Sequence, residues 1–260
     1  MKITKLVSYS GGINSWATAM LVAQRHGIDG MLLLFADTMA EDPDLYRFLR
    51  EGAAKIGAPL LIIADGRTPM QLMWDLKMLG HSRIDPCSAT LKRELMYQWI
   101  TTNCSPEETT LYFGIGWDEA HRLTKVAARY AGWRVESPLI DTPFTKSGLR
   151  DWLELNDVEV PALYKQGFPH NNCGGACVKA GQAQWALLYK TNPCLYAQWE
   201  TWEKRMRAER VGDHTILKDR RGVKPGEPAK RLTLEEFRER SIREGKYDVH
   251  EWGGCGCALE

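Results

Sequence analysis

The stretch Ser8-Tyr9-Ser10-Gly11-Gly12-Ile13-Asn14-Ser15 follows a short strand-like run, 3–7, and precedes a helical pattern over 16–24. A strand that passes through Ser-Gly-Gly-x-x-Ser into a helix builds a cradle for an anion. Glycines let the backbone approach a phosphate closely, and the first helical turn offers N–H groups and a favourable dipole. Ser10 and Ser15 add hydroxyl donors. We therefore predict a phosphate-binding loop, the alternative being a tight turn that binds nothing.

The spacing of this loop excludes two common phosphate-binding motifs. It lacks the Gly-x-x-x-x-Gly-Lys-Ser/Thr of a Walker loop, and it lacks the Gly-x-Gly-x-x-Gly of a dinucleotide-binding turn. The loop therefore belongs to another class of phosphate site.

Length and charge set broad limits on the protein. The 260 residues allow one large domain or one domain with a small appendage, and 44% of them are apolar, enough for an ordinary core. The formal net charge of +1 provides no global attraction to nucleic acid or to an anionic membrane. No run of 18 apolar residues and no signal-peptide core is present, so we expect a cytoplasmic protein without membrane contact.

Strand-like and helix-like patterns alternate over the first 140 residues. Predicted strands cover 3–8, 31–36, 59–64, 110–115 and 135–140, and predicted helices cover 15–25, 44–56, 69–79, 89–102 and 119–131. The central strands are continuous apolar runs, which is typical of a parallel sheet covered on both faces. We predict a doubly wound, mostly parallel, Rossmann-like α/β fold with ligands at the carboxyl ends of the strands.

The pattern changes after residue 142, where we place a domain boundary. The region 143–260 is predicted to be mainly helical and to pack on the nucleotide-binding domain 1–142. It contains a Pro/Gly/Asn/Cys-rich loop over 161–177, a charged loop or hairpin over 218–230, and a capping box that starts at Thr233.

Seven cysteines in a cytoplasmic chain favour metal ligands, reactive thiols or core residues over a disulfide framework. Cys173 and Cys177 lie four residues apart in a glycine-bearing loop before a helix, and Cys87 lies at another helix start. Cys255 and Cys257 form a terminal Cys-Gly-Cys, predicted to be either metal ligands or a mobile redox arm. Zinc and an iron–sulfur cluster both fit such thiolates.

Together these motifs resemble the phosphoadenosine phosphosulfate reductase family of the PP-loop superfamily, especially its stand-alone bacterial and phage members. The usual loop of the superfamily is Ser-Gly-Gly-x-Asp-Ser, and Asn14 stands here in place of the Asp. The resemblance covers nearly the whole chain. The matching segments are 8–15, 37–38, 87–92, 114–122, 138–140, 167–182 and the Gly-Gly-Cys-Gly-Cys tail.

The resemblance implies that the chain binds ATP or a related adenosine nucleotide, with Mg²⁺ as a further ligand. The residues implied to bind the nucleotide are Ser8, Ser10, Gly11, Gly12, Asn14, Ser15, Asp37, Thr38, Lys92, Gly114 and Gly116. Asp118, Glu119 and Arg122 are the implied catalytic residues, the alternative being a capped, solvent-facing helix start. Lys92, Arg93, Lys179 and Arg122 would surround the triphosphate with positive charge.

Adenylylsulfate reductases and several tRNA-thiolating PP-loop enzymes carry a 4Fe–4S cluster. The resemblance implies Cys87, Cys173 and Cys177 as ligands of such a cluster here, with Cys255 or Cys257 as the fourth. At Cys87 this chain has a single cysteine, whereas adenylylsulfate reductases have a pair of adjacent cysteines at the corresponding point. The later pair is spaced Cys-x-x-x-Cys rather than Cys-x-x-Cys. The reductases' C-terminal Glu-Cys-Gly-Leu-His is replaced by Cys-Gly-Cys-Ala-Leu.

Three functions follow from the resemblance. The first is adenylation of an oxygen in a small molecule or nucleobase, followed by sulfur transfer from a cluster, a cysteine or a separate sulfur donor. The second is reduction of phosphoadenylyl or adenylyl sulfate to sulfite with a thioredoxin-like reductant. The third is a non-catalytic, zinc-stabilised nucleotide-binding module.

Overall fold

The glycine loop joins the central strand of a parallel sheet to a helix. The computed structural model describes residues 2–81, 84–142, 144–224 and 226–254. Strands β1 (Lys5–Ser8), β2 (Met31–Asp37), β3 (Leu60–Ala64), β4 (Thr110–Tyr112) and β5 (Arg134–Glu136) form a sheet in the order β3-β2-β1-β4-β5. All four strand pairs are parallel. The predicted α/β class and five strands are confirmed, with shorter strands at β4 and β5.

Helices connect these strands. Those of the first 160 residues are α1 (Ile13–His26), α2 (Pro43–Ile56), α3 (Pro69–Asp75), α4 (Leu95–Asn103), α5 (Arg122–Arg129) and α6 (Lys146–Leu155), and a π-helical segment, Ser88–Glu94, leads into α4. Asp42 caps α2, and Thr68 forms a capping box with Gln71 at the start of α3.

Two predicted helices were too long. α3 ends at Asp75 rather than at residue 79, because Lys77 adopts a left-handed backbone with φ of 51° that a right-handed helix cannot continue. The segment predicted as a helix from residue 119 begins instead with a 3₁₀ turn, Trp117–Glu119, in which the Glu119 N–H donates to the Gly116 carbonyl. The α-helix proper starts at Arg122.

The region after α6 is mainly helical, as predicted. Its elements are α7 (Ala162–Lys165), a 3₁₀ turn (Cys173–Gly175), α8 (Gln182–Thr191), α9 (Pro193–Met206), a π-helical segment (Arg207–Val211), β6 (Leu217–Asp219), β7 (Lys230–Leu232), α10 (Leu234–Glu236) and a π-helical segment (Phe237–Ile242). The charged segment is a hairpin, since β6 and β7 pair antiparallel. The predicted capping box joins Thr233 to Glu236.

Alternate residues of the central strands enter different cores. Leu6 belongs to one cluster and Val7 to another, so the sheet is covered on both faces as its apolar runs predict. A third core holds the C-terminal helices. Leu149 of α6 packs in a sheet core, and Leu72 of α3 packs in the third core. Side chains from both sides of residue 142 thus share cores, and the predicted boundary stays a prediction.

Among the described residues, we find no helix whose length and apolar character would carry it across a lipid bilayer.

Candidate functional site

The glycine loop lies where the order of the parallel strands reverses. β1 pairs with β2 on one side and β4 on the other, and such a switch point leaves a crevice at the carboxyl ends of the strands. Gly11 has φ of 78°, a conformation that favours glycine, and a Cβ there would lie 2.9 Å from Leu45 Cγ. The Ser15 hydroxyl donates to the Gly12 carbonyl at 2.8 Å, which fixes the first turn of α1.

Gly114 brings the end of β4 against the start of α1. A Cβ on Gly114 would lie 2.8 Å from the Ser15 backbone nitrogen and 2.9 Å from Ser15 Cα, so only glycine fits without backbone movement. The segment after β4 is held by Ser137, whose hydroxyl lies 2.6 Å from the Phe113 carbonyl oxygen and accepts the Ile115 N–H at 3.1 Å. This arrangement places Gly114 against the glycine loop, and its predicted role in nucleotide binding stays a prediction.

The cysteine-bearing region closes the other side of the loop. Asn171 is 1% exposed, and its Nδ2 donates to the Gly11 carbonyl at 2.9 Å. Its Oδ1 has no hydrogen-bond partner among the described residues. Tyr164 also approaches, since a Cβ on Gly12 would lie 3.5 Å from the Tyr164 hydroxyl oxygen. Residues 164–172 therefore form a second wall of the site.

A cleft of about 360 Å³ lies between these walls. Its polar lining combines the glycine loop with charged groups from α5, α6 and the 3₁₀ turn before α5. The residues that line it include Ser10, Gly12, Asn14, Ser15, Gly114, Asp118, Glu119, Arg122, Lys146, Arg150, Tyr164, His170 and Asn172. The glycine loop and the cationic side chains of Arg122, Lys146 and Arg150 thus line the same cleft.

Arg122 is the most unusual group in the cleft. It is 9% exposed, and its Nη1 donates to the Glu119 carboxylate at 2.6 Å. Its Nε and Nη2 have no hydrogen-bond partner among the described residues. A buried guanidinium with unsatisfied donors is costly, and an anionic ligand in the cleft would satisfy them.

The cleft is lined by eight of the fourteen residues predicted to bind the nucleotide or to act in catalysis. Ser10, Gly12, Asn14, Ser15, Gly114, Asp118, Glu119 and Arg122 all line it. Gly11 supports the loop through its carbonyl, which binds Asn171. Gly116 lines an adjoining hollow of about 250 Å³ together with Asn14 and Asp118.

Other predicted nucleotide-binding residues lie beside the cleft and are engaged with neighbours. The Asp37 carboxylate accepts from the Met39 N–H at 2.7 Å and from the Tyr46 hydroxyl at 2.9 Å. Burial, and then this hydrogen bond, raises the pKa of Tyr46. Ser8 and Lys92 line a small hollow on the far side of Ser10. A nucleotide-binding role for Ser8, Asp37 and Lys92 stays a prediction.

A buried carboxylate ties the loop after β2 to the cysteine loop. The Glu41 side chain is fully buried and accepts from Lys92 Nζ and from the Thr38 hydroxyl, both at 2.9 Å. It also accepts from the Cys173 backbone N–H. Thr38 and Lys92 thus contribute to the structure of this junction, and the predicted role of Thr38 near adenosine also stays a prediction.

The three cysteines predicted as metal ligands in the described part of the chain are buried: Cys87, Cys173 and Cys177. Cys173 has φ of 54° in a left-handed turn that continues through two glycines. Over the described ranges, no three His, Cys, Asp or Glu side chains are grouped to hold a metal ion. Cys255 and Cys257 lie outside the described residues. The described thiols therefore do not supply a full ligand set for a cluster.

The last described residues, 251–254, pair with the segment after Cys177. Gly181 N–H donates to the Trp252 carbonyl and Ala183 N–H to the Glu251 carbonyl, both at 3.0 Å. Gly253 forms an antiparallel bridge with Ala180. This C-terminal strap brings Gly254, the residue before Cys255, next to Lys179.

Sequence reasoning assigned no role to Lys146, Arg150, Tyr164 and His170, which line the cleft, or to Asn171, which donates to the Gly11 carbonyl. Lys146 and Arg150 are four apart on α6, a spacing that places them on one helix face and that is readable from the sequence. The contact of Asn171 with Gly11 spans 160 positions and leaves no local signal.

Solved structures similar to this chain include two enzymes. A phosphoadenylyl-sulfate (PAPS) reductase from Candida auris, in a phosphate complex, is 16% identical, with a TM-score of 0.43, and the match covers 63% of this chain and 78% of that chain. The U34-tRNA thiolase NcsA from Methanococcus maripaludis, with its 4Fe–4S cluster, is 13% identical, with a TM-score of 0.47, and the match covers 82% of this chain and 75% of that chain.

One of these two structures is a PAPS reductase, the family that the sequence motifs resemble. No protein-family model and no curated protein matches the sequence.

Proposed function

We propose that this protein is an ATP-dependent enzyme that adenylates an oxygen of its acceptor so that sulfur can replace it. The observation that carries the proposal is Arg122, buried on the same cleft as the glycine loop with two of its nitrogens unsatisfied by the described residues. A triphosphate presents enough oxygens to meet both the loop and this guanidinium. The same cleft places Lys146 and Arg150 within reach of a polyanion.

The reaction balances without a change of oxidation state. The acceptor oxygen attacks the α-phosphorus of ATP, the bond from that phosphorus to the bridging oxygen breaks, and pyrophosphate leaves. A sulfide donor then attacks the activated carbon, and AMP leaves with the original oxygen. Any proton on the attacking sulfur passes to solvent.

In this reaction some residues of the cleft would position the phosphates, and others would stabilise the charge that develops. The loop from Ser10 to Ser15 would hold phosphate oxygens through N–H and hydroxyl donors. Arg122, kept in place by Glu119, would stabilise charge that develops on the leaving pyrophosphate. The Asn14 and Asp118 side chains, which both line the cleft, offer oxygen ligands to the Mg²⁺ that accompanies ATP.

Calorimetric titration with Mg-ATP, AMP, adenylyl sulfate and PAPS tests the proposal. Mg-ATP is expected to bind at least tenfold more tightly than AMP, because pyrophosphate oxygens supply the contacts to Arg122. Arg122→Gln is expected to weaken ATP binding by about tenfold or more, roughly 1.4 kcal/mol. The matched control, Arg129→Gln, removes an exposed arginine from the same helix and should leave affinity unchanged.

The products separate this proposal from sulfonucleotide reduction. Pyrophosphate and AMP formed from ATP in the presence of acceptor support adenylation. Tight binding of PAPS or adenylyl sulfate, release of sulfite and no heat from ATP would overturn it. Binding of ATP without turnover of any acceptor class would favour the non-catalytic module.

A further inference from the structure

The hairpin formed by β6 and β7 concentrates positive charge. Between residues 218 and 231 the sequence has six basic residues (Lys218, Arg220, Arg221, Lys224, Lys230 and Arg231) and two acidic ones (Asp219 and Glu227). The hairpin therefore carries a formal charge of +4, whereas the whole chain carries +1. The remainder of the chain carries a formal charge of −3.

Two of these six cations form an ion pair with a described residue. Arg221 pairs with Asp219 and Arg231 pairs with Asp213, both at 2.8 Å. Arg220, Lys224 and Lys230 are exposed and form no ion pair with any residue that the structure describes. In the described part of the hairpin no large apolar side chain is exposed. A hairpin with exposed cations and no exposed large apolar side chain is better suited to bind a hydrated polyanion than to bind a lipid surface.

The hairpin is anchored firmly at its base. Leu217 and Leu232 are buried in the third core, and the buried Glu203 carboxylate accepts the Ile216 N–H at 2.9 Å. The Arg221 guanidinium donates to the Lys246 carbonyl and reaches the Ser241 hydroxyl at 3.4 Å. The exposed cations therefore project from a fixed support, which lowers the entropy lost when they bind.

The base of the hairpin adjoins the cysteine loop. Gln182 Nε2 donates to the Lys218 carbonyl at 2.9 Å, and Gln182 lies five positions after Cys177. The neighbouring residues Gly181 and Ala183 hold the C-terminal strap. A ligand along the hairpin would thus lie next to the cysteine side of the protein.

We propose that this hairpin is a docking arm for a nucleic-acid acceptor, with Arg220, Lys224 and Lys230 contacting backbone phosphates. The proposal deepens the proposed function and rests on it, since it names the acceptor class as a base within a nucleic acid. Contacts to phosphates alone bring affinity without sequence preference, and they make binding strongly salt-dependent.

The test measures fluorescence anisotropy of a labelled RNA stem-loop and a labelled DNA duplex of equal phosphate number, from 50 to 300 mM NaCl. The test variant is Arg220→Gln/Lys224→Gln/Lys230→Gln in the full chain. The matched control is Arg50→Gln/Arg129→Gln/Lys190→Gln, which removes three exposed charges elsewhere. Loss of three phosphate contacts should reduce the slope of log affinity against log salt by about 2 to 3. Affinity at 100 mM NaCl should fall by roughly tenfold or more, with the control within twofold.

Preference for the RNA or for the DNA identifies which nucleic acid is the acceptor, and either one supports the arm. Equal losses in both triple variants, no binding of either probe by the unaltered protein, or equal binding of anionic phosphatidylserine vesicles would overturn it. ATP calorimetry on the same variants separates the two proposals. The hairpin variant should retain ATP affinity, whereas absence of ATP binding in the unaltered protein defeats the proposed function and leaves the anisotropy result interpretable.

Discussion

Gly114 is the residue on which the contact between β4 and the glycine loop depends. Replacement by alanine would put Cβ 2.8 Å from the Ser15 backbone nitrogen, and that backbone belongs to the first turn of α1. We expect Gly114→Ala to weaken ATP binding by at least tenfold and to lower the free energy of unfolding by about 1 to 3 kcal/mol, since overpacking forces the backbone to shift. Calorimetry and urea unfolding measure the two effects.

Gly132→Ala is the control for Gly114→Ala. Gly132 has φ of 90°, but a Cβ there meets nothing within 4 Å. This variant should lose some stability through backbone strain and keep its ATP affinity. Equal ATP affinity for the Gly114 variant and the unaltered protein would show that the close approach does not shape the binding site.

The contacts of some single residues can be predicted from the sequence, and those of others cannot. Ser10, Gly12 and Ser15 were identified because phosphate loops have a local pattern, and Gly114 was implied by the family resemblance; all four line the cleft. The Glu41 carboxylate accepts hydrogen bonds from three residues, and this arrangement has no such local pattern. Two of the donors, Lys92 and Cys173, lie 51 and 132 positions away in the sequence. The predicted positive charge of Lys92 is thus paired with a carboxylate that the sequence did not associate with it.

At the scale of elements, Glu203 joins α9 to the base of the hairpin and to α10. Its carboxylate accepts the Ile216 N–H at 2.9 Å and the Leu234 N–H at 2.6 Å. Burial raises the pKa of Glu203 to about 7 from its ordinary 4.5, against the opposing effect of these two N–H groups.

A carboxyl with a raised pKa binds its proton more tightly in the folded protein than in the unfolded chain. The resulting stability is fully present below the unfolded pKa of 4.5 and is lost as pH rises through about 7. The contribution should therefore fall by about 2 kcal/mol between pH 5 and pH 8. Urea unfolding at both pH values should show this fall in the unaltered protein and not in Glu203→Gln.

Glu209→Gln is a suitable comparison for the Glu203 experiment. Glu209 is exposed and pairs with Arg205 at 3.0 Å, so its replacement should leave the pH dependence in place. An unaltered protein that is equally stable at pH 5 and pH 8, after subtraction of the Glu203→Gln profile, would contradict a raised pKa for Glu203.

At the scale of the whole molecule, the sequence predicts the sheet better than it predicts how the two regions meet. Continuous apolar runs arise because both faces of the sheet are buried, so strand positions can be read directly. The meeting of the regions depends on contacts between distant residues, such as Asn171 with Gly11 and Leu149 with the sheet core. These contacts leave no periodic signal, and for that reason the second wall of the cleft was missed.

The C-terminal strap, residues 251–254, joins the end of the described chain to the segment after Cys177. Gly253 has φ of 72°, and a Cβ there would lie 2.4 Å from the Lys179 carbonyl oxygen and 2.5 Å from the Gly181 nitrogen. Gly253→Ala should therefore displace 251–254 and break the bonds from Gly181 N–H and Ala183 N–H. With two hydrogen bonds lost, the local free energy of opening should fall by about 2 kcal/mol, roughly a thirtyfold faster amide exchange.

Hydrogen exchange followed by mass spectrometry measures this effect on the peptide that contains 179–183. Gly245→Ala is the matched control, because Gly245 has φ of 65° and a Cβ there meets nothing within 4 Å. Exchange in β1 and β2 should be the same in both variants, which separates displacement of the strap from general unfolding. If Gly253→Ala leaves the exchange of 179–183 unchanged, the strap is not held by this close backbone contact, and the position of Gly254 beside Lys179 must have another cause.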